Sequence, residues 1–395
     1  MLFLLLTITS KGLKLFPFKK VFTYSVFSAS VLFIACQGQN NANITIDQTK
    51  EQTNPSRTDS IVTSTEGTAS TTLDKNIQCI FQDKNDNYWF GTQKEGVYRY
   101  NGKTIVQFTD KDGLSNNQVQ TIQEDASGNI WLGTGGFGIS RFDGKTITTF
   151  TTLENLRANT NSDTKTAVAS DDLWFYAGDG MYHHDENGFT HLPLQETTLG
   201  SMDSQSQPNR LSPYAVYCSL KDAKGNLWFG TQSMGVCRYD PSGSNGNSLT
   251  WFTESDLAGP ALLALFEDKN GILWFGNNGS GLFRYDPVTD VLTNFTQEKG
   301  LSNDEFRKTG KSGPGSLARI YTINEDTSGN LWMGTADAGA WRYDGKQLKN
   351  YTTKDGLTSN AVSTIYKDKK GELWFGTETA ICKFNGTSFT AFIPQ

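Results

Sequence analysis

Seven tryptophans recur at near-regular intervals: Trp89, Trp131, Trp174, Trp228, Trp274, Trp332 and Trp374, separated by 42, 43, 54, 46, 58 and 42 residues. Each stands in the same short phrase. An apolar stretch ending in Asp leads to a Gly-containing turn and then to Trp-Phe-Gly-Thr or a close variant. A Gly-rich turn, an apolar-x-Arg-aromatic segment, Asn/Asp-Gly-Lys and a last strand ending in Phe and Thr complete it. One such phrase cannot cover its own apolar faces, but stacked copies can. A repeat of just over 40 residues that reads as four short strands therefore specifies one blade of a ring. The expected fold is all-β: a seven-bladed β-propeller of four-stranded antiparallel blades over residues 73–395, almost without helix. Ring closure is expected from packing of the first blade on the last, without strand exchange.

Spacing inside the repeat is tighter than spacing between repeats. Asp83, Asp125, Asp222, Asp268, Asp326 and Asp368 each lie six residues before their Trp, and three residues after each Asp comes Asp86 or a Gly. An Asp that accepts hydrogen bonds from its own turn, followed by a residue tolerant of positive φ, describes a tight hairpin. Ten residues after Trp, five repeats carry Arg99, Arg141, Arg238, Arg284 or Arg342; in the other two the gap is nine, and His183 and Lys383 take the slot. A feature present in every blade points in seven directions and cannot converge on one substrate. Trp is accordingly expected to fill the wedge between blades, and Asp and Arg to satisfy turns and strand ends. Gly after the aromatic residue allows close approach of the adjacent sheet.

Segments such as Asp112-Gly-Leu-Ser-Asn116, Val119 to Asp125, Gly128-Asn-Ile-Trp-Leu-Gly-Thr134 and Ile139-Ser-Arg-Phe-Asp143 resemble two-component regulator propeller repeats. The C-terminal copy, from Asp355-Gly-Leu-Thr-Ser-Asn360 through Trp374-Phe-Gly-Thr377, is nearly as close. The resemblance implies a periplasmic sensory propeller of the kind found in histidine kinases, many of which respond to glycans. Repeat three departs from the pattern, with Ser170-Asp171-Asp172 as a shortened hairpin and Tyr176-Ala177 in place of Gly-Thr. No kinase or response-regulator module follows the repeats, so this chain is not expected to signal alone.

Lys11, Lys14, Lys19 and Lys20 precede an apolar run from Val21 to Ala35, and no acidic residue occurs before Asp47. A basic region with a 15-residue apolar core reads as a secretory signal, too short to span a bilayer confidently. The run ends Leu32-Phe-Ile-Ala-Cys36, resembling a bacterial lipobox, with Phe33 where Leu is usual. The expectation is a lipoprotein-type signal over 1–35 and lipid attachment at Cys36. Residues 36–72 are expected to be a flexible tether, rich in Gln, Asn, Thr and Ser, with an end-to-end distance of about 35 Å. Ile61 and Val62 could add a strand to a blade's outer edge, a weaker reading than tether. Gln37 to Asn43 carries no acidic residue, which in the family resemblance favours the periplasmic side of the outer membrane over surface export.

Loss of the four signal lysines takes the formal charge from −6 to −10, with no basic run, which disfavours nucleic acid as a partner. Cys79 and Cys218 occupy the same first-strand position in repeats one and four, and Cys237 and Cys382 the same third-strand position. Such positions cannot meet, so packed thiols are expected. No metal-ligand spacing occurs, and no cofactor is expected; His183, His184 and His191 all fall in repeat three, where exposed strand residues are expected ahead of a metal pair. No catalytic constellation is visible. The leading reading is a non-catalytic binding or sensory propeller, a monomer taking a glycan or an envelope protein. The alternative is a propeller enzyme, a glycan lyase or hydrolase or a streptogramin-lyase-like protein.

Three insertions lengthen the repeat, at Leu153–Thr166, Glu196–Pro213 and Leu301–Leu317, each between the last strand of one repeat and the first of the next. In a propeller these connections emerge on the same face as the turns between second and third strands. Loops held by a rigid scaffold carry binding residues. The recognition face is therefore expected here, with Phe137, Asn278, Asp337 and Glu378 near its centre.

Overall fold

The structure, a computed structural model, describes residues 60–73, 75–150, 172–178, 180–185, 188–194, 212–241, 248–254, 256–302, 309, 313 and 315–394. The signal and Cys36, the insertion Leu153–Thr166 and most of Glu196–Pro213 lie outside the described residues, as does much of Leu301–Leu317. The chain forms the expected seven-bladed propeller; in the six blades whose strands are all described, each is an antiparallel meander whose first strand is innermost. In blade three, Leu173–Ala177, Gly180–Asp185 and Gly188–Pro193 pair in order; the place of its innermost strand falls outside the described residues. No helix among the described residues is long and apolar enough to cross a membrane.

The repeated phrase is a clasp. In blade one, Asp83 Oδ1 accepts from the Asn85 and Asn87 amides at 2.9 Å each, and Oδ2 accepts from Trp89 Nε1 at 2.8 Å. The same indole-to-carboxylate bond joins Trp131 to Asp125, Trp228 to Asp222, Trp274 to Asp268, Trp332 to Asp326 and Trp374 to Asp368. Positive φ at Asp86, Gly128, Gly225, Gly271, Gly329 and Gly371 closes each hairpin, as the spacing requires. Opposite every Trp on the third strand stands the basic residue: Trp89 pairs with Arg99, Trp174 with His183 and Trp374 with Lys383. The guanidinium of Arg99, Arg141 or Arg238 lies 5.6–5.8 Å from its own tryptophan ring.

Blades meet through these tryptophans and through the glycine beside them. A Cβ on Gly91 would stand 2.9 Å from the Val119 carbonyl of blade two, and one on Gly376 would stand 2.8 Å from Ile77 Cγ2 across the seam. Sheets can approach this closely only where the side chain is absent. At the hairpin face a second link recurs. The amide after the clasp Asp donates to the next blade: Lys84 to Glu124 Oε2 at 2.8 Å, Ala223 to Glu267 at 2.7 Å, Lys269 to Glu325 at 3.0 Å and Lys369 to Gln82 at 2.9 Å.

Blade seven closes on blade one without exchanging a strand. Trp374 and Ile381 share one apolar cluster with Ile77, Ile80 and Phe90, and Tyr88 Oη donates to Asp368 at 2.8 Å.

Two expectations are corrected. The tether does not extend to residue 72. Strand β1 (Ser60–Ser64) pairs with the outermost strand of blade two, Thr146–Phe150, and β2 (Thr68–Ser70) with the outermost strand of blade one, Ile105–Phe108. A polar segment can do this because an edge strand supplies backbone partners whatever the side chains, and Ile61-Val62-Thr63 is β-branched throughout. The histidines of repeat three are not exposed strand residues: His183 is 1% exposed and stacked on Trp174 at 4.5 Å, and His184 packs on Trp131 at 4.5 Å. Burial pushes the His184 imidazole below its usual range. Cys79, Cys218, Cys237 and Cys382 are free thiols packed in the blades, with burial pushing Cys237 up to about 12 and Cys382 to about 11.

Candidate functional site

The turn between second and third strands is pinned the same way in most blades. The threonine ending the second strand bonds the carbonyl that closes the turn, Thr231 Oγ1 to Gly235 at 2.8 Å and Thr335 Oγ1 to Gly339 at 2.7 Å. The next amide donates to the residue just before the innermost strand: Gln93 to Asn76, Gly135 to Gln118, Gln232 to Ala215, Asn278 to Ala261, Ala336 to Arg319 and Glu378 to Ala361. These turns are thereby held at the mouth of the central channel, beside the inter-blade loops.

At the mouth between blades five and six the sequence is unlike the rest. Asn277 replaces threonine and bonds the Leu257 carbonyl at 3.0 Å and the Pro260 carbonyl at 3.2 Å, tying the turn to the preceding loop. Asn278 then forms a backbone bridge with Arg319, whose Nε donates to Asn278 Oδ1 at 2.9 Å. Arg319 Nη1 lies 4.0 Å from Asp337 Oδ2 on the blade-six turn, and Nη2 donates to Tyr321 Oη at 3.2 Å. The side chains of Arg319 and Asp337 are 15% and 27% exposed.

Tyr321 stands where the innermost strand bulges. The ladder slips one residue at Gln78, Gln120, Tyr217, Leu263, Tyr321 and Ser363 in the six blades whose innermost strand is described. A bulge re-aims a side chain and interrupts pairing, and bulges concentrate beside functional sites. The result is a half-buried amide, guanidinium, carboxylate and phenol fixed against one another, with solvent access on one side. Such a group donates and accepts hydrogen bonds at fixed angles; it holds no nucleophile paired with a base.

Of the residues singled out from the sequence, Asn278 and Asp337 are brought together through Arg319. Glu378 is exposed on the blade-seven turn, its amide bonded to Ala361. Phe137 ends the short turn Gly135–Phe137 of blade two. Arg319 and Tyr321 were not anticipated, yet a signal exists. The residue before the innermost strand is Asn76, Gln118, Ala215, Ala261 or Ala361 in the other described blades, and only here does it carry a charge.

Five segments of the chain, residues 73–94, 113–136, 210–233, 256–279 and 356–379, match the two component regulator propeller model. Five of the seven repeats are thus similar to two-component regulator propeller repeats. Repeats three and six fall outside the matched segments. Among solved structures, the extracellular domain of a hybrid two component system from B. thetaiotaomicron is 20% identical with a TM-score of 0.55, over 84% of this chain and 40% of that one. Virginiamycin B lyase from Staphylococcus aureus is 16% identical with a TM-score of 0.55, over 85% of this chain and 100% of the lyase. PorZ, a surface component of the type-IX secretion system of Porphyromonas gingivalis, is 16% identical with a TM-score of 0.54, over 80% and 47%. At these identities the likeness is one of fold, and the chain spans only about two fifths of the two component extracellular domain it resembles. No curated protein matches the sequence.

Proposed function

We propose that this protein is a ligand-binding, sensory propeller of the cell envelope, non-catalytic, which recognises a glycan or a polar protein loop through the face bearing the inter-blade connections. The observation that carries the reading is the Arg319 group. Asn278, Asp337 and Tyr321, from two blades, converge on one partly exposed guanidinium at the channel mouth. Convergent polar groups on a rigid scaffold are what orient a hydroxyl-rich ligand. The repeat family and the fold likeness to an extracellular two component domain support the sensory and envelope parts of the reading. A lyase reading rests on fold likeness alone.

The site is tested by thermal shift against cell-wall oligosaccharides, followed by Arg319→Ala, Asp337→Ala and Phe137→Ala. A bound oligosaccharide should lose about tenfold or more in affinity with Arg319→Ala. Full affinity in all three variants would move the site elsewhere. The proposed lipid anchor is separable: Cys36→Ser should abolish acyl labelling and release a soluble form.

A further inference from the structure

The N-terminal segment that pairs with blades one and two also roofs a cavity of about 360 Å³ at the outer rim of their wedge. Ser64 and Glu66 line it from the segment, Arg99 and Phe108 from blade one, and Phe142 and Lys145 from blade two. Gly144 and Lys145 belong to the turn between third and fourth strands, so the cavity opens towards the hairpin face, away from the Arg319 group.

Arg99 occupies the repeated basic slot, and its packing over Trp89 at 5.8 Å is shared with other blades. Two things are not shared. The guanidinium also lies 5.7 Å from the Phe108 ring and 5.9 Å from the Phe142 ring, so three aromatic faces hold it in place. And only this wedge, among the described blades, has a fifth strand beside it on each sheet. Among the described residues no carboxylate lies within ion-pair distance of Arg99 or Lys145, whereas the equivalent Lys383 of blade seven is neutralised by Glu372 at 2.7 Å. Arg141, Arg238, Arg284 and Arg342 likewise have no carboxylate within ion-pair distance among the described residues, so what sets this cavity apart is that a second cation, Lys145, lines it together with Arg99 and with the single carboxylate Glu66.

The geometry points to a second binding site here, under the N-terminal segment, for a small carboxylate that carries a hydrogen-bond donor on the neighbouring carbon. The carboxylate suits the planar guanidinium, which binds such groups in a bidentate manner, with Lys145 adding a second positive charge. Glu66 disfavours a simple anion but accepts from an adjacent hydroxyl or ammonium, and Ser64 Oγ adds a donor and acceptor. A ligand held by both the segment and the blades would stabilise the docked segment in proportion to its occupancy. The cavity volume lies at the lower end of the range for small-molecule sites.

The test uses D-gluconate, its α-amino counterpart D-glucosaminate and uncharged D-glucose, titrated calorimetrically into the full chain. One or both acids should bind saturably and glucose should not. Binding of gluconate alone would assign a hydroxy acid, and of glucosaminate alone an amino acid. Arg99→Gln should weaken binding about tenfold or more and Lys145→Gln about threefold or more. Arg319→Ala should leave it unchanged, so failure here is distinguishable from failure of the recognition face. Because Arg99→Gln disturbs packing over Trp89, Lys145→Gln on the exposed turn is read beside it. Hydrogen exchange of the amides of residues 60–64 in the unaltered protein gives a further readout, which the bound acid should slow. The site is refuted if neither acid binds at about 10 mM. It is equally refuted if binding survives both substitutions without slowing exchange in β1.

Discussion

Blades three and four pack against each other yet complete the same repeat differently. In blade four, Trp228 Nε1 donates to Asp222 at 2.8 Å, Arg238 covers the ring, and Gly230 lies against Leu262 of the next blade. In blade three the residue six before the tryptophan in sequence is Val168 and not Asp, and Trp174 Nε1 is buried without a partner among the described residues. His183 takes the arginine slot, stacked on Trp174, with its Nε2 2.9 Å from Asp172 Oδ2 and off the line of a hydrogen bond. Tyr176 replaces the glycine, and burial holds its phenol well above the usual range. The backbone of Trp174 is held from outside: its amide donates to Gln123 Oε1 at 3.2 Å and its carbonyl accepts from Gln123 Nε2 at 2.8 Å. What persists in all seven blades is the cross-strand pairing of Trp with a basic residue, which also lies over the ring in blades one, two, three, four and seven. The Asp clasp is dispensable if a neighbouring blade supplies other bonds.

The largest expected effect lies in the clasp. Asp222→Ala strands the Trp228 indole and the Lys224 and Asn226 amides, and should cost about 2–3 kcal/mol by urea denaturation. Asp172→Ala should cost no more than about half of that. Equal losses would mean that the clasp is not what distinguishes the blades.

A finer comparison uses the indoles alone. Trp228→Phe removes a bonded N–H and should cost about 1–2 kcal/mol more than Trp174→Phe, which removes an N–H already without a partner. Indistinguishable losses would indicate that Trp174 Nε1 finds an acceptor in solution.

The smallest effect is the pH response of the blade two–three contact. Burial first, then His183 and Arg141, lower the His184 pKa; Asp185 and Asp125 oppose them. The folded pKa therefore lies below the unfolded value of 6.5, and the unfolded chain takes up the proton first. Stability from this group is complete above about pH 6.5 and is lost as pH falls through the folded value. Hydrogen exchange of Gly180–Asp185 at pH 7 and 5.5 should show the loss, and His184→Gln should remove it. A different acid response belongs to Asp125, Asp326 and Asp368. Burial raises each, but bonds from Trp, Asn, Tyr or backbone donors outweigh it and hold the carboxyls below 3.8, so that contribution persists until lower pH.

The fold was legible because its signals are local and repeated. Asp-x-x-Gly fixes a hairpin, Trp with Arg ten residues later fixes a cross-strand pair, and recurrence fixes the blade count. The Asp-to-indole bond itself was not read from the spacing, although six residues across a hairpin bring both groups to one end of it. The β1–β2 segment was harder to read because edge pairing rests on backbone bonds and leaves little side-chain pattern; Val62 stays 61% exposed within β1. At the candidate site, Asn278 and Asp337 were found by asking which turns differ between blades. Arg319 was missed because it lies at a strand start, where attention to turns does not reach, and its meeting with Asn278 is a contact across 41 residues.

The most direct test of the proposed recognition face is hydrogen-exchange footprinting of the full chain with an oligosaccharide selected by thermal shift, paired with calorimetry of Arg319→Ala. Protection should centre on the Asn278 turn, the start of Ile320–Glu325 and the Asp337 turn, and Arg319→Ala should lower the affinity about tenfold or more. Protection confined to the hairpin face, with unchanged affinity in Arg319→Ala, would contradict it.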